Sequence, residues 1–82
     1  MGTVSHETAS TFAYISNHTM TIKSDDTIKA IYLYEMSGKL IATYKPTVEA
    51  NQYEVEFPYQ NGVYLATILK TNGEKAAVKL LN

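Results

Sequence analysis

The pattern of hydrophobic and polar positions along this 82-residue chain predicts short β-strands from residue 11 onward. Apolar, aromatic and β-branched residues form short runs, often alternating with polar ones, and no run keeps a 3.6-residue period long enough for a helix. Short strands separated by turns at intervals of about 8–12 residues are typical of a sandwich. The fold class is therefore predicted to be all-β, an antiparallel β-sandwich of about seven short strands. The predicted strands are residues 11–15, 19–23, 27–35, 39–45, 53–57, 63–70 and 75–81.

The clearest turn signal lies in the last third of the chain, where Asn72-Gly73 separates two apolar runs. Asn and Gly tolerate the positive φ that a tight hairpin turn requires. Met36-Ser37-Gly38 separates two earlier runs and predicts another hairpin. The two hairpins, residues 27–45 and 63–81, are each expected to bury one face against the other sheet. Which face is buried stays open, because both sides of such apolar strands carry residues suited to a core.

Length and composition narrow the classes of protein and partner. A chain of 82 residues forms one small domain with a modest core. Residues 1–10 lack periodicity and are predicted to be a flexible lead-in or a remnant of cloning, with residues 11–82 as the single domain. A net charge of −1 argues against nucleic acid as a partner, and no apolar run reaches the length of a transmembrane segment. The chain is predicted to be a monomer.

Candidate catalytic and metal-binding residues are few. The absence of cysteine excludes disulfides and thiolate chemistry. Five side chains in the N-terminal half are of types that bind metals, but their spacing matches no known ligand pattern. These side chains are His6, Glu7, His18, Asp25 and Asp26. No sequence resembles a nucleophile elbow, so the chain is predicted to be non-catalytic and to need no cofactor.

Three tyrosines form a candidate binding face. Tyr32, Tyr34 and Tyr44 are expected near one another on the outer face of the first hairpin. An exposed aromatic strip suits stacking on a sugar or anchoring of a protein partner. The alternative is ordinary cross-strand pairing on a half-covered sheet, which is the commoner arrangement.

Two blocks of the sequence resemble a known family, the C-terminal sorting domains of type IX secretion in Bacteroidetes. Residues 31–41 are similar to the family block I-x-V-Y-D-L-x-G-[RK]-L-V. Residues 61–81 are similar to its ending G-[VI]-Y-x-x-x-I…G…K-[KL]-[LI]. The resemblance implies an Ig-like sandwich that sorts or anchors a secreted passenger protein and performs no chemistry. The sorting-motif residues that it implies are Gly38, Lys39, Gly62, Tyr64, Gly73, Lys79, Leu80 and Leu81.

The resemblance also implies partners and a location. The partners are the outer-membrane secretion machinery, a sortase-like protease and upstream passenger domains, with passage through the periplasm to the cell surface or the medium. The last strand, residues 75–82, is expected to be recognised as a sheet edge with open backbone groups. Asp26-Thr27-Ile28 resembles an O-glycosylation acceptor of exported Bacteroides proteins, which makes Thr27 a candidate site. The alternative function is a passive or adhesive Ig-like module that binds carbohydrate or protein through the tyrosine face.

Overall fold

A computed structural model describes residues 11–82, which form seven β-strands and no helix. The seven predicted strands are all present, and their bounds differ from the prediction by one residue at most. The predicted lead-in, including His6 and Glu7, lies outside the described residues. The strands are β1 (Thr11–Ser16), β2 (Thr19–Ser24), β3 (Ile28–Glu35), β4 (Leu40–Tyr44), β5 (Gln52–Glu56), β6 (Val63–Lys70) and β7 (Lys75–Leu81).

The strands form two antiparallel sheets, which confirms the predicted all-β sandwich. The smaller sheet has the order β1-β2-β5 and the larger sheet has the order β4-β3-β6-β7. The two predicted hairpins lie side by side in the larger sheet, because β3 pairs with β6 over residues 28–35. The larger sheet therefore has β4 and β7 as its edge strands.

The buried face of the larger sheet, left open by the sequence, is the face that carries Ile31 and Leu33. Ile31 lies opposite Ile68 and Leu33 lies opposite Ala66, and all four side chains are fully buried. Because side chains alternate along a strand, Tyr32 and Tyr34, which alternate with Ile31 and Leu33, project from the outer face. The core consists of Met20, Ile22, Ile28, Ile31, Leu33, Phe57, Ala66, Ile68 and Leu80.

The two hairpin turns of the larger sheet share one geometry. Gly73 has a φ of +93°, and its N–H donates to the carbonyl of Lys70 at 3.0 Å. Gly38 has the same φ, and its N–H donates to the carbonyl of Glu35 at 2.9 Å. This is the three-residue loop in which a single left-handed glycine ends the turn. The positive φ expected at Asn72 is absent, so that detail of the prediction was wrong.

The tight two-residue turn lies instead between β1 and β2. Asn17 and His18 have φ values of 52° and 60°, and they connect the paired residues Ser16 and Thr19. Two consecutive positive φ values are the mark of a type I′ turn, whose hand matches the twist of the strands. His18, a candidate metal ligand by residue type, is a turn residue whose carbonyl accepts the N–H of Phe57 at 2.8 Å.

Candidate functional site

Most of the predicted sorting-motif residues gather at one end of the larger sheet. Antiparallel pairing brings the end of β3, the start of β6 and the end of β7 together, as the cross-strand row Glu35, Tyr64, Leu80 shows. We call this the motif end, and the opposite end, which carries Lys70 and Gly73, the far end. The predicted residues at the motif end are Gly38, Lys39, Gly62, Tyr64, Lys79, Leu80 and Leu81.

Hydrogen bonds to residues 59–62 hold the end of β7 in place. The Asn82 N–H donates to the Gly62 carbonyl at 2.9 Å, and the Gly62 N–H donates to the Asn82 carbonyl at 3.1 Å. The Asn82 side chain Nδ2 donates to the carbonyls of Tyr59 at 2.9 Å and Gln60 at 3.2 Å. The end of the last strand is therefore hydrogen-bonded to the preceding loop through both the backbone and the side-chain amide of Asn82.

Tyr64 joins that same loop to the core. Its hydroxyl donates to the Gln60 carbonyl at 2.7 Å, and its ring packs edge-on against buried Phe57 with the centroids 5.0 Å apart. A tyrosine suits this position because one end of the side chain needs an apolar contact and the other needs a polar one. Gly62 and Tyr64 therefore shape the motif end from within.

The last strand alternates sharply between buried and exposed residues. The Leu80 side chain is 1% exposed in the core, whereas Leu81 is 70% exposed on the outer face. Lys79 is exposed and lies opposite Leu65. Recognition from outside can reach Lys79 and Leu81 directly, but it reaches Leu80 only through its effect on the fold.

An apolar strip that the sequence analysis missed adjoins these exposed residues. Tyr34 pairs with Leu40 on one side and Leu65 on the other, while Val63 pairs with Leu81. We call these five residues the outer-face strip. Leu40 is 48% exposed and Leu65 is 36% exposed. The available signal was the alternation in β6, where Val63 and Leu65 occupy the face opposite Tyr64.

The outer edge of β7 carries backbone groups that no strand among residues 11–82 pairs with. The doubly hydrogen-bonded pair Gly62–Asn82 fixes the alternation of the ladder. It directs the N–H and C=O groups of alternate residues toward β6 and those of the others away from the sheet. The outward-facing set is Lys75, Ala77, Lys79 and Leu81, so the predicted open edge is present in this part of the chain.

The predicted face of three tyrosines is wrong for Tyr44. Tyr32 projects outward, but Tyr44 pairs with Ile31 and packs against the core, 6.1 Å from the ring of Tyr53. A register shift in the β3–β4 ladder places one extra residue in β4 and turns Tyr44 to the inner face. Burial is the main cause that raises the pKa of Tyr44 to about 12, and the neighbouring Tyr59 adds to it.

The far end is built around a buried lysine that the sequence analysis did not single out. The Lys70 side chain is 5% exposed, and its Nζ donates to Oδ1 of Asp25 at 2.8 Å. Asp25 is 54% exposed, and the hydrogen bond from Lys70 lowers the pKa of its carboxyl. Lys70 continues the inward-facing positions of β6, so its burial follows from strand periodicity. Asp25 is therefore engaged with a lysine.

Thr27 and Gly73 also lie at the far end. The Thr27 carbonyl accepts the Thr71 N–H at 2.9 Å, and the Thr27 N–H donates to Oδ1 of Asp26 at 2.7 Å. The structure thus separates the candidate glycosylation site from the motif end. Residues 11–82 include no group of three acidic, histidine or cysteine side chains placed to hold a metal, and no helix long and apolar enough to cross a membrane.

Comparison with protein families decides the identity of the domain. Residues 16–81 match the model of a family described as the secretion system C-terminal sorting domain. The chain belongs to this family. The resemblance seen in the sequence is thereby confirmed, and the chain carries a C-terminal sorting signal for type IX secretion. Membership implies a larger passenger protein, contact with the type IX machinery, and export to the cell surface or extracellular space.

Other comparisons place the fold but not the function. No curated protein matches the sequence of this sorting domain. Among solved structures, it is similar to CopC from Methylosinus trichosporium OB3b, with a TM-score of 0.54 and 13% identity over 90% of this chain and 85% of that one. At this identity the likeness shows the sandwich alone. Nothing found favours the adhesive alternative.

Proposed function

We propose that the motif end is the surface by which the type IX machinery recognises the folded sorting domain. The observation that carries this proposal is the division of the last strand. Leu80 is buried in the core and Asn82 is hydrogen-bonded to the loop. The residues that alternate with them, Lys79 and Leu81, are exposed. The folded chain therefore presents one face of the terminal motif and keeps the other face in the core.

In this proposal the motif residues have two kinds of role. Gly38, Gly62, Tyr64 and Leu80 shape the motif end through turns and packing. Lys39, Lys79 and Leu81 are exposed there and make contact with the machinery. Gly73 has a structural role of its own at the far end, where it forms the turn between β6 and β7. Lysines at an edge strand also discourage pairing with the wrong partner while they orient the right one.

The domain performs recognition without catalysis, and it does so as a folded unit formed by residues 11–82. It passes through the periplasm in this folded state, because the terminal strand is an integral part of the sandwich. A sortase-like protease then acts on chain outside the strands, since hydrogen-bonded backbone resists proteolysis. A glycan on Thr27 would sit at the far end and leave the motif end accessible.

The test joins the sequence to the C-terminus of a periplasmic reporter in a host with type IX machinery. We expect the reporter at the cell surface, and we expect Leu81→Ser to leave it in the periplasm, because this substitution removes an exposed side chain of the recognition surface. Phe12→Ser is the matched control, since Phe12 is an exposed apolar residue of the smaller sheet, 44% exposed.

A folded, intact domain that leaves its reporter in the periplasm would contradict the proposal. Removal of residues 79–82 is a second comparison that separates stability from recognition. It should abolish export and also lower the melting temperature, because Leu80 leaves the core. Leu81→Ser should abolish export with little change in melting temperature.

A further inference from the structure

We infer that the open edge of β7 accepts an extended acidic segment of the export machinery as an additional antiparallel strand. This inference rests on the proposed function, because it names the kind of partner that the motif end and its neighbouring edge bind. Addition of a strand to an open sheet edge is a general mode of peptide recognition, in which backbone groups supply affinity and side chains supply specificity.

The backbone of β7 offers the first half of the site. Ala76, Val78 and Leu80 direct their N–H and C=O groups toward β6, as the Gly62–Asn82 pair requires. The residues between them direct theirs outward over the whole length of the strand. No proline interrupts this edge, and β1, which packs near β7 in the other sheet, forms no backbone ladder with it among the described residues.

The side chains of β7 supply the chemistry of the partner. Lys75 and Lys79 have outward-facing backbone groups, project from the outer face and are both exposed. In an antiparallel ladder each would stand directly opposite one residue of the added strand, where opposite charges attract and like charges repel. The partner therefore carries acidic residues four positions apart. An apolar residue two positions before the first acid would lie beside Leu81.

A second copy of the domain fits this edge less well. Two β7 strands paired antiparallel through their outward-facing groups give neither lysine an acidic partner, because that set contains no acid. The open edge of β5 carries Glu54 and Glu56 on its outer face, but they are two positions apart. Their spacing places only one acid directly opposite a lysine in any antiparallel register. The four-residue spacing of the lysines selects a different strand.

The test uses the peptide acetyl-Leu-Thr-Glu-Val-Thr-Ala-Glu-amide as the probe and follows the backbone amides of the full chain by NMR. We expect the amide signals of Ala77 and Lys79 to shift downfield and their hydrogen exchange to slow. Ala76 and Val78, already bonded to β6, should change little. The control peptide with both glutamates replaced by lysine should bind at least about tenfold more weakly, because cross-strand attraction becomes repulsion.

A charge swap makes the test specific. Lys75→Glu/Lys79→Glu should reverse the preference, so that the lysine peptide binds better than the glutamate peptide. If this variant does not fold, the two peptides on the unaltered chain still decide the outcome. Changes confined to the outer-face strip, equal changes at all β7 amides, or no preference between the peptides would overturn the inference.

Two further outcomes also overturn it. Slowed exchange of the outward-facing amides that depends on protein concentration, without peptide, would show that a second copy occupies the edge. Loss of reporter export in Leu81→Ser combined with no peptide pairing would leave the recognition surface standing and remove only the added strand. The two proposals therefore fail separately.

Discussion

The two ends of the larger sheet are closed by different chemistry. At the far end the buried Lys70 binds Asp25, and Thr27 accepts a hydrogen bond from Thr71. At the motif end Asn82 and Tyr64 donate hydrogen bonds to loop carbonyls, and the Glu35 carboxylate accepts one from the Ser37 hydroxyl. Within residues 11–82, the ion pairs formed are those of Lys70 alone. Lys39 and Lys79 at the motif end are both exposed to solvent.

This contrast shows how one sequence motif can supply both buried residues that form the fold and exposed residues that form a surface. The same glycine turn ends a hairpin at each end, so turn geometry alone does not distinguish them. What distinguishes the motif end is the exposure of Lys39, Lys79 and Leu81 beside an apolar strip. At the far end the buried Lys70 instead forms an ion pair within the fold. Substitutions at the two ends should therefore have separable effects.

The largest expected effect is at Leu80, which tests the fold-forming half of the motif. Leu80→Ala should lower the free energy of unfolding by about 2–4 kcal/mol, because it removes a buried side chain and leaves a cavity. Leu81→Ala is its neighbour-matched control and should change the value by no more than about 0.5 kcal/mol. Urea denaturation measures both. Similar losses for the two variants would show that the alternation of β7 is misassigned.

Substitution of either turn glycine should lower the free energy of unfolding by less than Leu80→Ala, and by the same amount at both glycines. Gly38→Ala and Gly73→Ala should each cost about 1–2 kcal/mol, because an alanine at a φ of +93° is strained. An added Cβ meets no atom within 4 Å at either site, so no collision adds to the strain. Thermal unfolding of both variants checks the equality. An unchanged melting temperature for one of the two variants alone would show that the two turns do not share one geometry.

The smallest expected effect is an acid sensitivity that belongs to the far end. Lys70 holds the pKa of Asp25 below its usual value of 3.8, so this pair stabilises the fold above pH 3.8. That stabilisation is lost as the pH falls below 3.8 through the lowered pKa. The melting temperature of Asp25→Asn/Lys70→Met should therefore fall less than that of the unaltered chain between pH 5 and pH 2. Parallel curves would mean that the pair contributes nothing.

Much of this architecture follows from local sequence, and the remainder depends on contacts between distant residues. Alternation and turn residues predicted every strand, because both act over a few neighbouring positions. The pairing of β3 with β6 is a long-range choice that no short window records. The orientation of Tyr44 depended on one extra residue in β4. The inward position of Lys70 follows the local alternation of β6, but the Asp25 that supplies its counter-charge lies 45 positions away.

The candidate site was predictable in the same uneven way. Family blocks proposed residues such as Gly62 and Lys79 as part of the site, but they did not separate buried residues from exposed ones. Leu80 and Leu81 are identical in type and adjacent, and only the register of β7 against β6 sends one inward. The outer-face strip was missed because its residues lie on four strands that are far apart in the sequence.

The central claim is that export recognises the motif end specifically. The most direct measurement is surface display of a reporter that carries either of two matched charge reversals. Lys39→Glu/Lys79→Glu changes the motif end, and Lys29→Glu/Lys45→Glu makes the same net-charge change with exposed lysines toward the far end. We predict that the first reporter stays in the periplasm and the second reaches the surface, with both domains folded. Equal display of the two, or retention of the second alone, would contradict the claim.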